Sequence, residues 1–437
     1  MANARPLTLI AIAASLAGLL FGFDTAVISG VTGQLRQIYH LTPESLGLVV
    51  SSALWGTLAG AIFSGRPGDR FGARFMLRIV AVLYLVSAVG GALAWDIQAL
   101  VLFRFLGGLG IGASSVLAPV YIAEIAPKAR RGALVGLFQT NIVIGILAAY
   151  LTNFLIGGLA SGDQVWRLKL LSGAVPALVF LLLMFRIPNS PRWLKARGRS
   201  AEANAISTAL SLEDWSAADN TPKLSEKLSW SLDRRPILLA VTLALFNQFS
   251  GINAILYYLN DIFRSAGFSS VSADLQAVVI GAANLLATLA GVALIDRLGR
   301  KLLLMVGGVG TAIALLGVAL IMSAGVAKVW LLPCLVLFIV SFAFSQGAVI
   351  WVYLSEIFPA RVRAQGQGVG SAAHWLANAA IAAIFPLVAA SSKGAPFFVF
   401  AACMGVQVFV IATFFPETRG VSLEAMESHM VPSKADP

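Results

Sequence analysis

Twelve stretches of roughly 20 mostly apolar residues run through this chain, and each is long enough to cross the hydrocarbon core of a bilayer. They lie at about 8–31, 46–65, 75–95, 98–122, 133–156, 168–187, 236–259, 273–295, 302–325, 330–354, 367–389 and 394–415. A segment in lipid must satisfy its own backbone hydrogen bonds, so every one of them reads as helix. The expected fold class is therefore an all-α integral membrane protein with twelve transmembrane helices. Composition agrees: 58% of the 437 residues are hydrophobic and 12% are charged, against about 25% charged in a soluble domain.

The net charge of +11 could suggest nucleic acid in a soluble protein, but here the cations gather at span ends, so no nucleic-acid partner is expected. The loops after spans 2, 4, 6, 8 and 10 hold Arg66, Arg70, Arg74 and Arg78; Lys128, Arg130 and Arg131; Arg192, Lys195, Arg197 and Arg199; Arg297, Arg300 and Lys301; and Arg361 and Arg363. By the positive-inside rule those loops and both termini are cytoplasmic. Cys334 and Cys403 both sit in apolar runs, which suits packing better than a disulfide or metal frame. The first apolar run lacks an A-x-A-like end, so it reads as a span and not as a cleavable signal.

The halves repeat one another. "GDRFG" (68–72) recurs as "IDRLG" (295–299), "YIAEIAPKARRGA" (121–133) as "YLSEIFPARVRAQ" (353–365), and "PNSPR" (188–192) as "PETRG" (416–420), each offset by roughly 230 residues in the same order. Two repeated bundles with a site near the midplane is the architecture of alternating-access transporters. The expected division is a first bundle at 1–187, a cytoplasmic linker with short helices at 188–235, a second bundle at 236–416 and a tail at 417–437. Within the linker, "RWLKARGRSAEANAISTAL" reads as an amphipathic surface helix followed by an irregular acidic stretch.

Asp24 stands inside the first span, where a carboxylate costs about 2.5–3.5 kcal/mol on insertion scales. It is either a tolerated group facing a wet vestibule or half of a buried pair. The candidate partner is Arg104, in the glycine-flanked "LVLFRFLGGLGIG" of span 4. Ionised Asp24 would be stabilised beside Arg104, and protonation would release the arginine. Span 7 holds "NQFSGINAILYY", which puts Gln248, Asn253, Tyr257 and Tyr258 in one segment. Asn253 and Tyr257 are four apart and share a helix face, and Gly251 offers a place to bend. Amides and aromatics together suit polyhydroxyl ligands, although intramembrane amides also bond neighbouring helices. No Walker A, H-E-x-x-H, C-x-x-C or nucleophile-elbow pattern stands in a plausible setting, so neither ATP drive, nor a metal or other cofactor, nor enzyme chemistry is expected.

"GFDTAVISG", "GDRFG", "RFLGGLGIG", "YIAEIAPKARRG", "PNSPRWL", "NQFSGINAILYY", "DRLGRK", "SEIFPARVR" and "PETRG" follow one another in this order. In them the chain resembles, from end to end, the sugar porters of the major facilitator superfamily, and within these the bacterial proton-coupled monosaccharide symporters. The resemblance implies the major facilitator fold, with Asp24 and Arg104 as the proton site. It assigns Gln248 and Asn253 to sugar hydroxyls and Tyr257 and Tyr258 to the outer gate. It also carries Gln139, Asn284, Trp351, His374, Trp375 and Asn378 to the pocket. Some resembling symporters have an acid in span 6, where this chain has Gly173. The family often has two glutamines where this chain has Asn247–Gln248, and a Gln or Asn where it has His374.

At the cytoplasmic helix ends, Glu124 with Arg131 and Asp69 with Arg70 and Arg74 form one charged cluster. Asp296, Arg297, Arg300, Glu356 and Arg363 form its second-half counterpart. Interlocking salt bridges there are expected to hold one state of the transport cycle and to break in the other. Ala73 stands where the family often has arginine, and Asn189 where it has an acid, which weakens the first-half latch. The expected function is a proton-coupled hexose or pentose symporter of the cytoplasmic membrane, working as a monomer with a monosaccharide and a proton as its substrates. A facilitator without proton coupling, a polyol transporter and a non-transporting sensor are the rivals.

Overall fold

The structure, a computed structural model, describes residues 4–127, 130–210, 228–359 and 362–419, without the side chains of residues 4–6, 363 and 364. Twelve helices are long and apolar enough to cross a membrane, and the described residues include no strand. The spans are Leu7–Gly30, Pro43–Phe63, Ala73–Ala92, Ile97–Ile125, Arg131–Leu159, Val165–Arg186, Trp230–Tyr257, Ser270–Leu298, Arg300–Ala324, Lys328–Glu356, Gln365–Ser391 and Ala395–Phe414. All twelve coincide with the apolar runs of the sequence. Several reach further, because polar residues cap them beyond the apolar part. Asp96 accepts the Ala99 N–H at 2.7 Å and starts span 4, and Ser269 accepts that of Ser272 at 3.3 Å ahead of span 8.

By residue contacts the chain divides into two units, Met1–Leu41 with Leu48–Pro222, and Thr42–Gly47 with Lys223–Pro437. The core of the first includes Ala14, Leu77, Val80, Ile111, Leu117 and Phe180. That of the second includes Leu304, Val349, Ile350, Ile357, Phe358 and Ile411. Small residues bring the helices together, as expected where lipid supplies no hydrophobic drive. A side chain at Gly22 of span 1 would overlap the Ile142 carbonyl of span 5, and one at Gly108 of span 4 would overlap the Ala53 carbonyl of span 2.

Three spans are interrupted. Span 6 is built from Val165–Leu171 and Ala174–Arg186, with Ser172 and Gly173 between them. Span 7 ends its first helix at Phe249 and starts again at Ile252. The step falls on Gly251, whose φ of +77° lies where a side chain is strained. Span 10 carries a π-helical turn at Ala343–Gly347, which the sequence pattern does not announce. The linker expected to hold short helices has two, Pro191–Ala196 and Ser200–Ala209, in the stretch read as surface helix. They are separated at Gly198, with φ +75°. The acidic stretch after them, residues 420–437 of the expected tail, Lys128 and Arg361 lie outside the described residues.

Candidate functional site

In the first unit, Asp24 and Arg104 come together. The Asp24 Oδ2 lies 3.6 Å from Arg104 Nη2, with the aspartate side chain 21% and the arginine 5% exposed. Span 4 brings its arginine this close because Gly107 and Gly108 carry no side chain. One at Gly107 would strike Ser87 and approach Asp24 to 4.0 Å. The pair borders a cavity of about 30 Å³ whose lining includes Phe23, Tyr84, Ser87 and Gly173, enough for a water. The Arg104 Nε is buried without a hydrogen-bond partner. Tyr84, whose hydroxyl meets that of Ser114 at 3.1 Å, joins this site only through the fold. Its place in an apolar run gave no signal.

In the second unit, a hydrogen-bonded chain runs across spans 7 and 11. Asn253 Nδ2 donates to Gln248 Oε1 at 2.9 Å, and Gln248 Nε2 donates to Asn247 Oδ1 at 2.9 Å. The same Gln248 Nε2 lies 3.2 Å from both ring nitrogens of His374. In the ring plane, an atom so placed would collide with the carbon between those nitrogens. The amide therefore sits over the imidazole face, leaving the in-plane directions of both ring nitrogens open. His374 packs against Trp351 and Trp375, with ring centroids 5.2 and 5.1 Å away. Asn378 Nδ2 donates to the Tyr257 hydroxyl at 3.3 Å, while its Oδ1 is buried and unpartnered.

Other expected pocket residues are placed as follows. Tyr258 is buried, donating to the Ala382 carbonyl at 2.9 Å and stacked on Phe385. Asn284 is buried on span 8 and Trp351 is 39% exposed. Gln139 is half-buried on span 5 of the first unit. Asn247, which stands where the family often has glutamine, is the terminal acceptor of the hydrogen-bonded chain.

The charged clusters differ between the units. In the second, Arg300 pairs with Glu356 at 2.8 Å and Asp296 at 3.0 Å. Arg297 is exposed, and the Arg363 side chain lies outside the described residues. In the first, the expected bridges are replaced by carbonyl contacts. Arg131 Nε donates to the Ala123 carbonyl at 3.1 Å and Arg74 Nη2 to that of Phe185 at 3.0 Å. Among the described residues no ion pair joins Glu124 to Arg131 or Asp69 to Arg70 or Arg74. The physical reason is Ala73, which occupies the place of Arg300 in the repeat and has no charge to link Asp69 with Glu124.

The fold and its two buried polar sites define a multi-pass membrane transporter of the major facilitator type, not an enzyme. Residues 10–430 match the family described as sugar (and other) transporter. The chain is 35% identical over 469 residues to the D-xylose-proton symporter of Escherichia coli (strain K12), covering 96% of this chain and 94% of that one. It is 36% identical over 438 residues to the arabinose-proton symporter of Bacillus subtilis (strain 168), with 96% and 94% covered. The partially occluded, inward-open structure of the xylose transporter XylE from E. coli superposes with a TM-score of 0.85 at 32% identity, covering 97% of this chain and all of that one. The chain belongs to the sugar transporter family.

Proposed function

We propose that this protein is a proton-coupled monosaccharide symporter of the cytoplasmic membrane, with both termini cytoplasmic, acting as a monomer by alternating access between bundles 1–187 and 236–416. One observation carries the coupling: a carboxylate and a guanidinium paired within spans 1 and 4, beside a cavity that can hold water. Two relatives that transport a pentose with a proton support the same reading.

In this reading Asp24 takes up the proton. Ionised, it neutralises Arg104; protonated, it leaves the arginine free to shift with span 4. A buried pair that loses one charge is strongly disfavoured in place, so protonation biases the bundle toward rearrangement. The sugar occupies the Gln248–Asn253–His374–Asn378 cluster, aided by Asn284, Trp351 and Trp375. There it exchanges hydrogen bonds that Gln248 otherwise makes with Asn247 and Asn253. Tyr257 and Tyr258 close the outer end. Each unit carries gating charges at its cytoplasmic helix ends: Asp69, Arg70, Arg74, Glu124 and Arg131 in the first, and Asp296, Arg297, Arg300, Glu356 and Arg363 in the second. Each proton entering with sugar adds about 2.3 kcal/mol per 100 mV of membrane potential.

The test is internal pH in liposomes containing the purified protein, challenged with single hexoses and pentoses beside an Asp24→Asn control. Sugar-dependent acidification that the variant lacks supports symport and names a substrate. Sugar entry without a pH change in the wild type makes the protein a facilitator, a reading favoured by Gly173, which leaves span 6 without an acid at this cavity.

A further inference from the structure

The cavity beside Asp24 extends along the first unit. Its wall on span 3 includes Tyr84, Ser87, Ala88 and Gly91, a reach of about 10 Å at the helical rise. Gly91 is the last residue but one of that span, which ends at Ala92. Leu100 and Leu170 line the same cavity, near the starts of spans 4 and 6 at Ile97 and Val165. With both termini cytoplasmic, these three helix ends face outward. The cavity therefore runs from the Asp24–Arg104 pair toward the outer face.

Its two ends are closed differently. At the inner end the Tyr84 hydroxyl meets that of Ser114 at 3.1 Å, and the next core residues of span 3, Val80 and Leu77, are apolar and buried. At the outer end the closure consists of side chains. A Cβ at Gly91 would meet Leu100 Cδ1 at 3.7 Å and Leu170 Cδ1 at 3.9 Å, and no backbone of another helix within 4 Å. Both leucines are buried. The rim beyond them is polar: Arg167 Nη1 donates to the Ala92 carbonyl at 2.6 Å, and Asp96 caps span 4. Lys169, the residue before Leu170, donates its Nζ to the Gly30 carbonyl at 3.1 Å, so its charge serves the end of span 1. An ionisable pair at depth, a polar rim and two leucines between them form the layout of a hydrophobic gate, dry when the side chains meet and wet when they part. Leucine has alternative staggered rotamers, so opening requires no helix displacement.

We propose that the proton reaches Asp24 from the outer face through the first unit itself, past Leu100 and Leu170 at Gly91, and not by the route the sugar takes. The inference rests on the symport reading and adds its entry path. None of the residues along the path belongs to the sugar cluster, which is built on spans 7 and 11.

The experiment compares two rates for the full protein in liposomes, with D-xylose, L-arabinose and D-glucose as probes. One is the initial rate of sugar-driven acidification, which requires the proton to bind and leave. The other is exchange of labelled sugar at equal concentrations and equal pH on both sides, during which the proton stays bound. Gly91→Leu fills the constriction without touching Asp24. It should slow acidification at least tenfold and leave exchange within twofold of wild type. Gly91→Ala, whose Cβ meets the leucines at ordinary contact distance, should slow acidification less than threefold. If Gly91→Leu does not fold, Ala88→Leu, three residues inward on the same wall, serves instead with the same expectation. A variant that slows both rates equally, or neither, overturns the route. A wild type that exchanges a probe sugar without acidification overturns the symport reading itself, and the route with it.

Discussion

Asp24 on span 1 and Arg104 on span 4 face each other at 3.6 Å inside one six-helix unit. The separation is longer than a tight charge-assisted hydrogen bond, and the buried Arg104 Nε is unpartnered. The pair is held together more by low dielectric than by directed bonding, which suits the breaking and reforming contact that the proposed symport requires.

Replacing Asp24 by Asn keeps the shape and removes the titratable group. We expect sugar-driven proton entry to fall to background while sugar exchange across the membrane persists. Accumulation against a gradient should vanish, read as the ratio of internal to external labelled sugar.

Gln248 links Asn253, Asn247 and His374. Gln248→Ala removes one donor and one acceptor and leaves buried partners unsatisfied, at about 1–3 kcal/mol. The KM for sugar should rise roughly 5- to 150-fold, and the melting midpoint should fall as well.

His374 offers a donor and an acceptor from a ring fixed between Trp351 and Trp375. His374→Gln should retain transport and sugar-driven proton entry but reorder substrates. In a competition panel of hexoses, pentoses and polyols, at least one ratio of inhibition constants should move more than tenfold. An unchanged panel would make His374 a packing residue.

Gly251 holds φ at +77°, and a Cβ there would also run into the Phe400 ring. Gly251→Ala combines backbone strain of about 1–3 kcal/mol with that overlap. Its expected result is lower yield and a melting midpoint several degrees below wild type.

Glu417 lies beyond span 12. Burial pushes its carboxyl up, but N–H groups of Arg419, Arg300, Lys301 and Thr418 outweigh this and hold it below its ordinary 4.5. A depressed pKa stabilises the fold above the unfolded value, and the contribution disappears as pH falls through the folded value. Glu417→Gln should therefore melt a few degrees below wild type near neutrality. The two should converge only once the pH falls below that lowered value.

Much of this was legible from the chain. Twelve apolar runs have one solution in lipid, because an unpaired backbone group there costs several kcal/mol. That requirement acts locally, so sequence is enough to read it. The repeat was visible for the same reason: "GDRFG" and "IDRLG" each need a glycine at positive φ where a span begins. Asp24 was conspicuous because an acid in an apolar run is costly, and its arginine because span 4 surrounds it with glycine. Tyr84 was harder to find, since a tyrosine in a span says nothing of the direction it faces until the helices are packed.

By itself, then, the sequence determined the spans, the repeat, the family resemblance and the residue types capable of coupling and sugar binding. Only the tertiary structure decided which of them meet. It set Gln248 over the face of His374, joined Asp24 to a cavity, and showed Arg300 bridging two acids while Arg74 and Arg131 turn to carbonyls instead. The physical reason is distance: charge and hydrogen-bond energies change over fractions of an ångström to a few ångströms, and residues more than a hundred positions apart are brought within that range only by helix packing.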